Sequence, residues 1–330
     1  DAPLRLEEMP FPARHLVDIH SYKYSIDGEA STSLIMQLGC AFACGYCSGR
    51  LSPSFRRVRT RSIESVIAEI LEVYEKYGFR GFQFYDDELN LDKNFAYNMR
   101  ELAKLQEKIG VRFALRGFIK ANLFNEEQAE AMVWAGFRQI CIGFESGSPR
   151  ILKNIKKAAT KEDNTRCMEI AHKYGIKVKA FMSVGHPGES HLSINESQKW
   201  LIDVQPYDFD CTIITTYPGT PYYDFAVQTD GHKNVWTYTA ANGDKLHACD
   251  VDFVEDASYY KGTIDGGYKS FVWTDYISAK DLVKMRDWVE REVRNKLGIP
   301  FYPVTSASQF DASMGQLPGY IYRKSNGEES

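Results

Sequence analysis

"LIMQLGCAFACGYCSGR", Leu34 to Arg50, places three of the chain's seven cysteines, Cys40, Cys44 and Cys47, within eight positions behind an apolar run that reads as a strand. Three thiols so close together suggest a metal. A closed four-ligand site would need one more donor from elsewhere.

Composition sets the frame around that stretch. The 330 residues are 44% hydrophobic and 25% charged with a net charge of -4, which suits a globular protein with a large core. No apolar run is long enough to span a bilayer, so no membrane segment is expected. "DAPLRLEEMPFPARHL" has neither the charged start and apolar segment nor the small-residue cleavage site of a signal peptide. It also begins without Met, so a processed chain or a piece of a longer one is expected. An odd cysteine count with one tight cluster points to a reducing compartment, the cytoplasm, rather than a disulfide framework. The mild negative charge predicts no general affinity for nucleic acid. The basic run "RRVRTR", Arg56 to Arg61, has no aromatic platform beside it and reads as a solvated loop leading into a helix.

Outward from the cysteines the chain keeps one rhythm. "SLIMQLG" is followed by "SIESVIAEILEVYEKYG", in which Ile63, Val66, Ile67, Ile70, Leu71 and Tyr74 recur at helical spacing behind the N-cap candidate Ser62. Strand-like "FRGFQFYDDE", "VRFALRGF", "RQICIGFESGS", "IKVKAFMSVGHPGE" and "DFDCTIITTYPGT" then alternate with amphipathic helices. Gly78, Gly110, Gly136 and Gly175 stand near the expected C-caps. Six strand-helix alternations with short connections predict parallel strands and right-handed crossovers. A partial (β/α)6 barrel fits best, with a doubly wound sheet as the alternative. After about Pro221 the pattern changes: "VWTYTAANGDKLHACDVDF" predicts a hairpin about Asn242-Gly243, and a helix is expected from Ser278 to Leu297, closed by Gly298 and Pro300. The expected organisation is a lead-in over 1–30, the barrel over 31–222 and an extension over 223–330 that caps the barrel and carries substrate identity.

In both folds the functional residues lie at the carboxyl ends of the parallel strands. Cys40, Cys44 and Cys47 follow the first strand, and Asp86, Asp87 and Glu88 the second. Arg116 ends the third, Glu145 and Ser146 the fourth, and Gly185, His186, Pro187 and Gly188 the fifth. Polar and metal-binding residue types thus converge on one rim. Three readings of the thiols remain: small buried residues, a structural zinc site completed by His20 or Cys249, or a [4Fe-4S] cluster on three thiolates with one iron left for a ligand. No histidine pair stands at metal-binding helical spacing; His172 reads as structural, and His186 is placed to touch substrate.

The C-x3-C-x2-C spacing with Tyr46 before its last cysteine, on the loop after the first strand, resembles the radical S-adenosylmethionine (SAM) superfamily over roughly Ser31 to Tyr222. The resemblance implies Cys40, Cys44 and Cys47 as ligands of a [4Fe-4S] cluster whose free iron chelates SAM. It implies reductive cleavage of SAM and hydrogen abstraction from substrate by a 5'-deoxyadenosyl radical. No catalytic residue is implied beyond the cluster. The implied cofactor contacts are the backbone near Tyr46 with the adenine, the acids Asp86, Asp87 and Glu88 with the SAM ammonium, and Glu145 in "GFESGS" with the ribose. Lys157 is expected on the SAM carboxylate, Lys156 competing for that role. Arg116 and Ser146 join them at the strand ends, and Gly185 and Pro187 of "SVGHPGE" match a Gly-x-Pro-Gly-Glu turn near the adenosine.

"MPFPARHL", "GFESGS", "TTYPGTPYYD" and "REVRNKLGIP" together resemble the catalytic portion of cobalamin-type members. "DIHS" at Asp18 lacks the Gly of a cobalamin loop, so cobalamin is expected only with an additional domain. Cys141, Cys167, Cys211 and Cys249 are scattered, which argues against an auxiliary cluster. The partners expected are a small-molecule or biosynthetic-intermediate substrate and a reductant such as flavodoxin or ferredoxin. The readings kept open are a cobalamin-dependent methyltransferase whose B12 domain lies outside this chain, a non-catalytic metal module, and a metal-dependent barrel hydrolase.

Overall fold

The computed structural model of the chain describes residues 6–47, 51–251, 264–265 and 269–301. Three single-turn helices lead in, followed by β1 Ser25–Ile26, β2 Glu29–Leu34, β3 Gln37–Leu38, β4 Arg59–Thr60 and α1 Ile63–Tyr77. Next come β5 Gly81–Phe84, α2 Phe95–Ile109, β6 Ala114–Phe118, α3 Glu126–Ala135, β7 Phe137–Glu145, α4 Pro149–Ile155 and α5 Lys161–Lys173. The barrel part ends with β8 Lys177–Val184, α6 His191–Val204, β9 Asp208–Ile213 and α7 Pro221–Asp224. Beyond it lie β10 Val227–Gln228, β11 Val235–Thr239, β12 Lys245–Cys249, β13 Val272–Trp273 and α8 Ala279–Leu297.

The helices form where caps and apolar spacing agree. In α1 the Ser62 side chain accepts from the Ser65 amide, Gly78 closes the helix at φ +73°, and Ile63, Val66, Ile70 and Val73 bury one face. Their strands make one sheet in the order β1-β2-β5-β6-β7-β8-β9. β2 to β9 pair in parallel, and β1 joins its edge antiparallel. The parallel strands lie in chain order with no reversal, whereas a doubly wound sheet reverses at its switch point. Six parallel strands that curl without closing make the partial barrel.

One expectation needs correction. "SLIMQLG" is not a single strand: β2 starts earlier and stops at Leu34, and Gln37–Leu38 turn aside to pair antiparallel with β4. The cause is tertiary. The Asp86 carboxylate, at the end of β5, accepts the Met36 and Gln37 amides and pulls the chain out of the sheet.

The two edges of the half-barrel are treated differently. Along β9, α8 supplies side chains to the backbone groups that a further strand would have paired: Glu290 accepts the Cys211 amide at 2.6 Å, Arg286 donates to the Cys211 carbonyl at 2.8 Å, and Arg294 donates to the Phe209 carbonyl at 2.6 Å. Along β2 the lead-in crosses instead, held by Arg14, which donates to the Ser33 carbonyl at 2.9 Å and to Glu69 at 2.7 Å.

The hairpin forms as expected, with Gly243 at φ +88° in its turn, and is extended to the sheet β10-β11-β12-β13. Tyr238, Leu246 and Val272 of that sheet share one core with the barrel. No helix among the described residues is long and apolar enough to cross a membrane.

Candidate active site

The loop that carries the thiols is fastened at its start and again at Gly45. At its start, Asp87 accepts the Gly39 amide at 2.7 Å, beside the Asp86 contacts, and Gln37 donates to the Glu88 carbonyl at 2.7 Å. Farther along, the Cys40 amide donates to the Phe55 carbonyl at 3.0 Å, and the Gly45 amide to the Ile155 carbonyl at 2.9 Å, while the Tyr222 amide donates to the Gly45 carbonyl at 2.9 Å. Gly45 is required here because a Cβ would enter the Tyr222 ring, coming within 2.8 Å of its edge.

None of the three cysteines is in a disulfide; Cys40 and Cys44 are buried and Cys47 is half-buried. Cys44 packs with Ile151 and Ile155 of α4. Two lysines place positive charge toward it. Lys120, at the end of β6, donates to the Lys157 carbonyl at 2.5 Å and lies 4.2 Å from the centre of the Phe42 ring. Burial, and then the neighbouring Lys157, pull its pKa down to about 8.

Lys157 is the other cation. It donates to Glu145 Oε1 at 3.0 Å, which also accepts the Tyr46 hydroxyl at 2.6 Å, and Glu145 Oε2 accepts Ser183 Oγ at 2.6 Å. Burial alone would discharge both partners, but the Lys157 ammonium and the Ser183 and Tyr46 donors hold Glu145 down to about 2. Reciprocally, the Glu145 and Glu88 carboxylates outweigh burial and keep Lys157 above the ordinary lysine range. Glu145 itself has φ +65°, beside a register shift between Gly143 and Glu145 that aims the carboxylate at the lysine. A Cβ at Gly143 would lie 2.8 Å from Lys157 Nζ, so the residue before the bulge must be small.

The network continues to His186. Ser183 gives its hydrogen to Glu145, so in the 2.7 Å contact between Ser183 Oγ and His186 Nε2 the ring must be the donor. His186 is therefore the Nε2–H tautomer, and burial keeps it neutral, with its pKa pulled down to about 4. Its Nδ1 lone pair and the hydroxyl of Tyr222 are both buried without a hydrogen-bond partner among the described residues. Both rings stand beside the loop: Tyr222 packs on Gly45, and His186 stacks edge-on against Tyr46 at 5.3 Å.

The other expected residues sort by geometry. Asp86 and Asp87 are engaged with the backbone ahead of the thiol loop, which leaves Glu88 as the acid that interacts with Lys157 and Lys120. Lys157 is buried, whereas Lys156 takes φ +60° at the end of α4 and is exposed. Ser146 bonds Ser197 of α6 at 3.0 Å and the Ser148 amide at 3.1 Å, inside its own turn. Arg116 lies buried inside the barrel, bonded to Gln83 and Gln139 on the neighbouring strands. The space beside Gly185 is filled by Val272 at 3.0 Å, and the Pro187 carbonyl accepts Asn154 at 2.8 Å, so the C-terminal sheet covers this turn. Lys120, Ser183 and Tyr222 were not among the expected residues. Lys120 follows a strand end in sequence, which is the signal that could have found it.

No three His, Cys, Asp or Glu side chains among the described residues converge as they would on a single ion. A cubane sets a different requirement, because its thiolates bind separate irons at separate corners. Three thiols on one fastened loop, with buried cations beside it and two orphaned polar atoms, fit such a cluster and a polar ligand next to it. The remote fourth ligands considered for zinc do not join them: His20 stacks on Phe79 at 5.2 Å, and the Cys249 thiol faces the Phe271 carbonyl at 3.6 Å.

Comparison with known proteins places these residues in a family context. The model of the radical SAM superfamily matches residues 34–201. An uncharacterized methyltransferase of Pyrococcus horikoshii is 31% identical over 224 residues, 67% of this chain and 47% of that protein. The cytidylyl-2-hydroxyethylphosphonate methyltransferase of Streptomyces wedmorensis is 28% identical over 207 residues, 58% of this chain and 38% of that protein. The chain thus spans less than half the length of these relatives. The radical S-adenosylmethionine methyltransferase TsrM of Kitasatospora setae, solved with cobalamin and a [4Fe-4S] cluster, shares the fold at a TM-score of 0.58 and 19% identity, over 83% of this chain and 53% of that one.

Proposed function

The chain belongs to the radical SAM superfamily, and from that premise we propose that it is an enzyme that cleaves SAM reductively and starts radical chemistry on a small-molecule substrate. The observation that carries the proposal is the juxtaposition of the fastened thiol loop with the buried Glu145–Lys157 pair. When bound, a [4Fe-4S] cluster with SAM supplies one-electron cleavage of the sulfonium and a hydrogen-abstracting radical.

The chain's own residues hold, orient and exclude water. Cys40, Cys44 and Cys47 are the ligands, and the backbone bonds at Gly39, Cys40 and Gly45 fix the loop before anything binds. Lys157, held cationic, is the partner for the SAM carboxylate. Glu88 takes the ammonium in place of Asp86 and Asp87. Glu145, held anionic, keeps lone pairs for ribose hydroxyls beyond its three protein donors, and Tyr46 lies against the adenine. The expected flavodoxin or ferredoxin delivers the electron, and the cytoplasm is the compartment that fits seven cysteines without a disulfide.

A second reading, cobalamin-dependent methyl transfer with a corrinoid domain supplied outside this chain, is favoured by relatives that are named methyltransferases and are more than twice as long as their matched part. The test is anaerobic reconstitution with iron and sulfide followed by dithionite and SAM. Formation of 5'-deoxyadenosine by the chain alone supports the proposal. A reconstituted protein that leaves SAM intact contradicts it, and rescue by an added corrinoid domain selects the second reading.

A further inference from the structure

The edge of the half-barrel along β2 differs from the one along β9. Where α8 seals β9 with side chains, the lead-in bridges β2 and leaves a cavity of about 610 Å³ beneath it. That volume is in the range of small-molecule sites. The cavity starts inside the barrel, at Gln83 on β5 and Tyr85 just beyond its end, and reaches Leu38, two residues before Cys40. It therefore adjoins the thiol loop at one end and the outside at the other.

Its lining carries rings and little free charge. Phe11, Tyr22 and Tyr24 face it from the lead-in, with Tyr22 and Tyr24 stacked at 6.5 Å. Arg14 and Arg61 both reach it but are bound to the same carboxylate, Glu69, and to the carbonyls of Ser33 and Ile35. Inside the barrel the rings continue: Tyr85 packs on Phe118 at 6.1 Å and Phe118 stacks on Phe181 at 5.9 Å. Tyr85, the member of this row that lines the cavity, is 42% exposed, so its ring still has surface to offer. Rows of partly exposed rings in a concave site recognise flat apolar groups through offset or edge-on stacking.

We propose that this cavity between the lead-in and the β2 edge is the substrate's site, and that it takes a neutral, largely apolar molecule bearing a ring. The proposal rests on the radical SAM reading for the word substrate; the ligand chemistry rests on the lining alone. Access is then controlled by the lead-in, while the C-terminal sheet serves to cover the "GHPGE" turn.

The neutral fluorescent dye N-phenylnaphthylamine is the probe. The wild-type chain is expected to bind it saturably at one site. Ser33→Trp, which places a ring in the cavity from an exposed position on β2, should weaken binding at least about tenfold. Leu192→Trp, on the exposed face of α6, should not. If Ser33→Trp fails to fold, Tyr22→Ala at the cavity mouth is the second variant, and it too should weaken the dye. In the reconstituted protein, saturating dye should change the rate of SAM cleavage for the wild type but not for Ser33→Trp. Absent saturable binding by the wild type, wild-type dye affinity in the folded cavity variants, or a wild-type cleavage rate indifferent to the dye overturns the proposal. Iron content and 5'-deoxyadenosine, measured on the same samples, separate the two claims: a protein that binds dye but no cluster refutes the enzyme reading and leaves the cavity, and the reverse refutes the cavity alone.

Discussion

Glu145 and Lys157, twelve residues apart in the chain, meet as a buried ion pair at 3.0 Å, joined on the carboxylate by Tyr46 from the thiol loop and Ser183 from β8. One carboxylate thus ties the end of β7, the end of α4, the cysteine loop and the next strand into a single unit. The Lys157 side chain is 7% exposed and that of Glu145 10%, so neither charge has water to fall back on.

That isolation sets the first prediction. Lys157→Met leaves Glu145 buried against two neutral donors and should cost about 3–5 kcal/mol. Glu145→Gln in the same chain should recover a large part of the loss. Urea unfolding of the two single variants and the double variant measures the coupling; strictly additive losses would show that the pair is not a unit. In the double variant SAM affinity should remain low, because the proposed partner of the SAM carboxylate, Lys157, is still missing.

Gly45 supports the second prediction. Its amide and carbonyl are both bonded across the loop, and its missing side chain is what lets Tyr222 pack there. Gly45→Ala should destabilise by about 1–3 kcal/mol through overpacking, and Tyr222→Leu should relieve part of it. Thermal unfolding reads both. A Gly45→Ala protein as stable as the wild type would mean that the loop can shift away from α7.

The third prediction concerns pH. Burial pushes Asp86 up to about 7, against the opposing pull of the Met36 and Gln37 amides. A carboxyl whose folded pKa lies above its unfolded value stabilises most below the unfolded value, and that contribution is lost as pH rises through the folded one. Unfolding free energy should therefore fall between about pH 4 and pH 7, by at most about 4 kcal/mol from this group. Asp86→Asn keeps Oδ1 as acceptor for both amides and should flatten that slope in urea titrations at the two ends of the window. An unchanged slope would place the titration elsewhere, with Glu189, pushed up to about 7 by burial, as the next group to replace.

Much of this arrangement was legible in the residues. Ser62, Gly78, Gly110, Gly136 and Gly298 punctuate helices that begin or end where spacing and caps agree. Alternating strands and helices fixed the parallel class but not the neighbour order, since periodicity records which face is buried and not which strand lies alongside. The break after Leu34 was invisible because its cause, Asp86, is fifty residues away. Lys156 and Lys157 are equivalent as letters; only the end of α4, with Lys156 at φ +60°, puts one outside and the other in. The SAM-ammonium role expected of Asp86, Asp87 and Glu88 came from the family resemblance of "YDDE", and in the structure the Asp86 and Asp87 carboxyls accept backbone amides. The cavity under the lead-in had no sequence signature, because it is formed by residues from separate turns and strands.

The central claim is that Cys40, Cys44 and Cys47 together hold a [4Fe-4S] cluster. The direct measurement is iron and sulfide content, with the electron paramagnetic resonance signal of the reduced protein, after anaerobic reconstitution of the wild type and the three single Cys→Ala variants. About four irons per wild-type chain are expected, with the cluster signal lost in Cys40→Ala, Cys44→Ala and Cys47→Ala and kept in Cys167→Ala, whose thiol is buried within α5. Iron and signal at wild-type levels in any of the three loop variants would contradict the account.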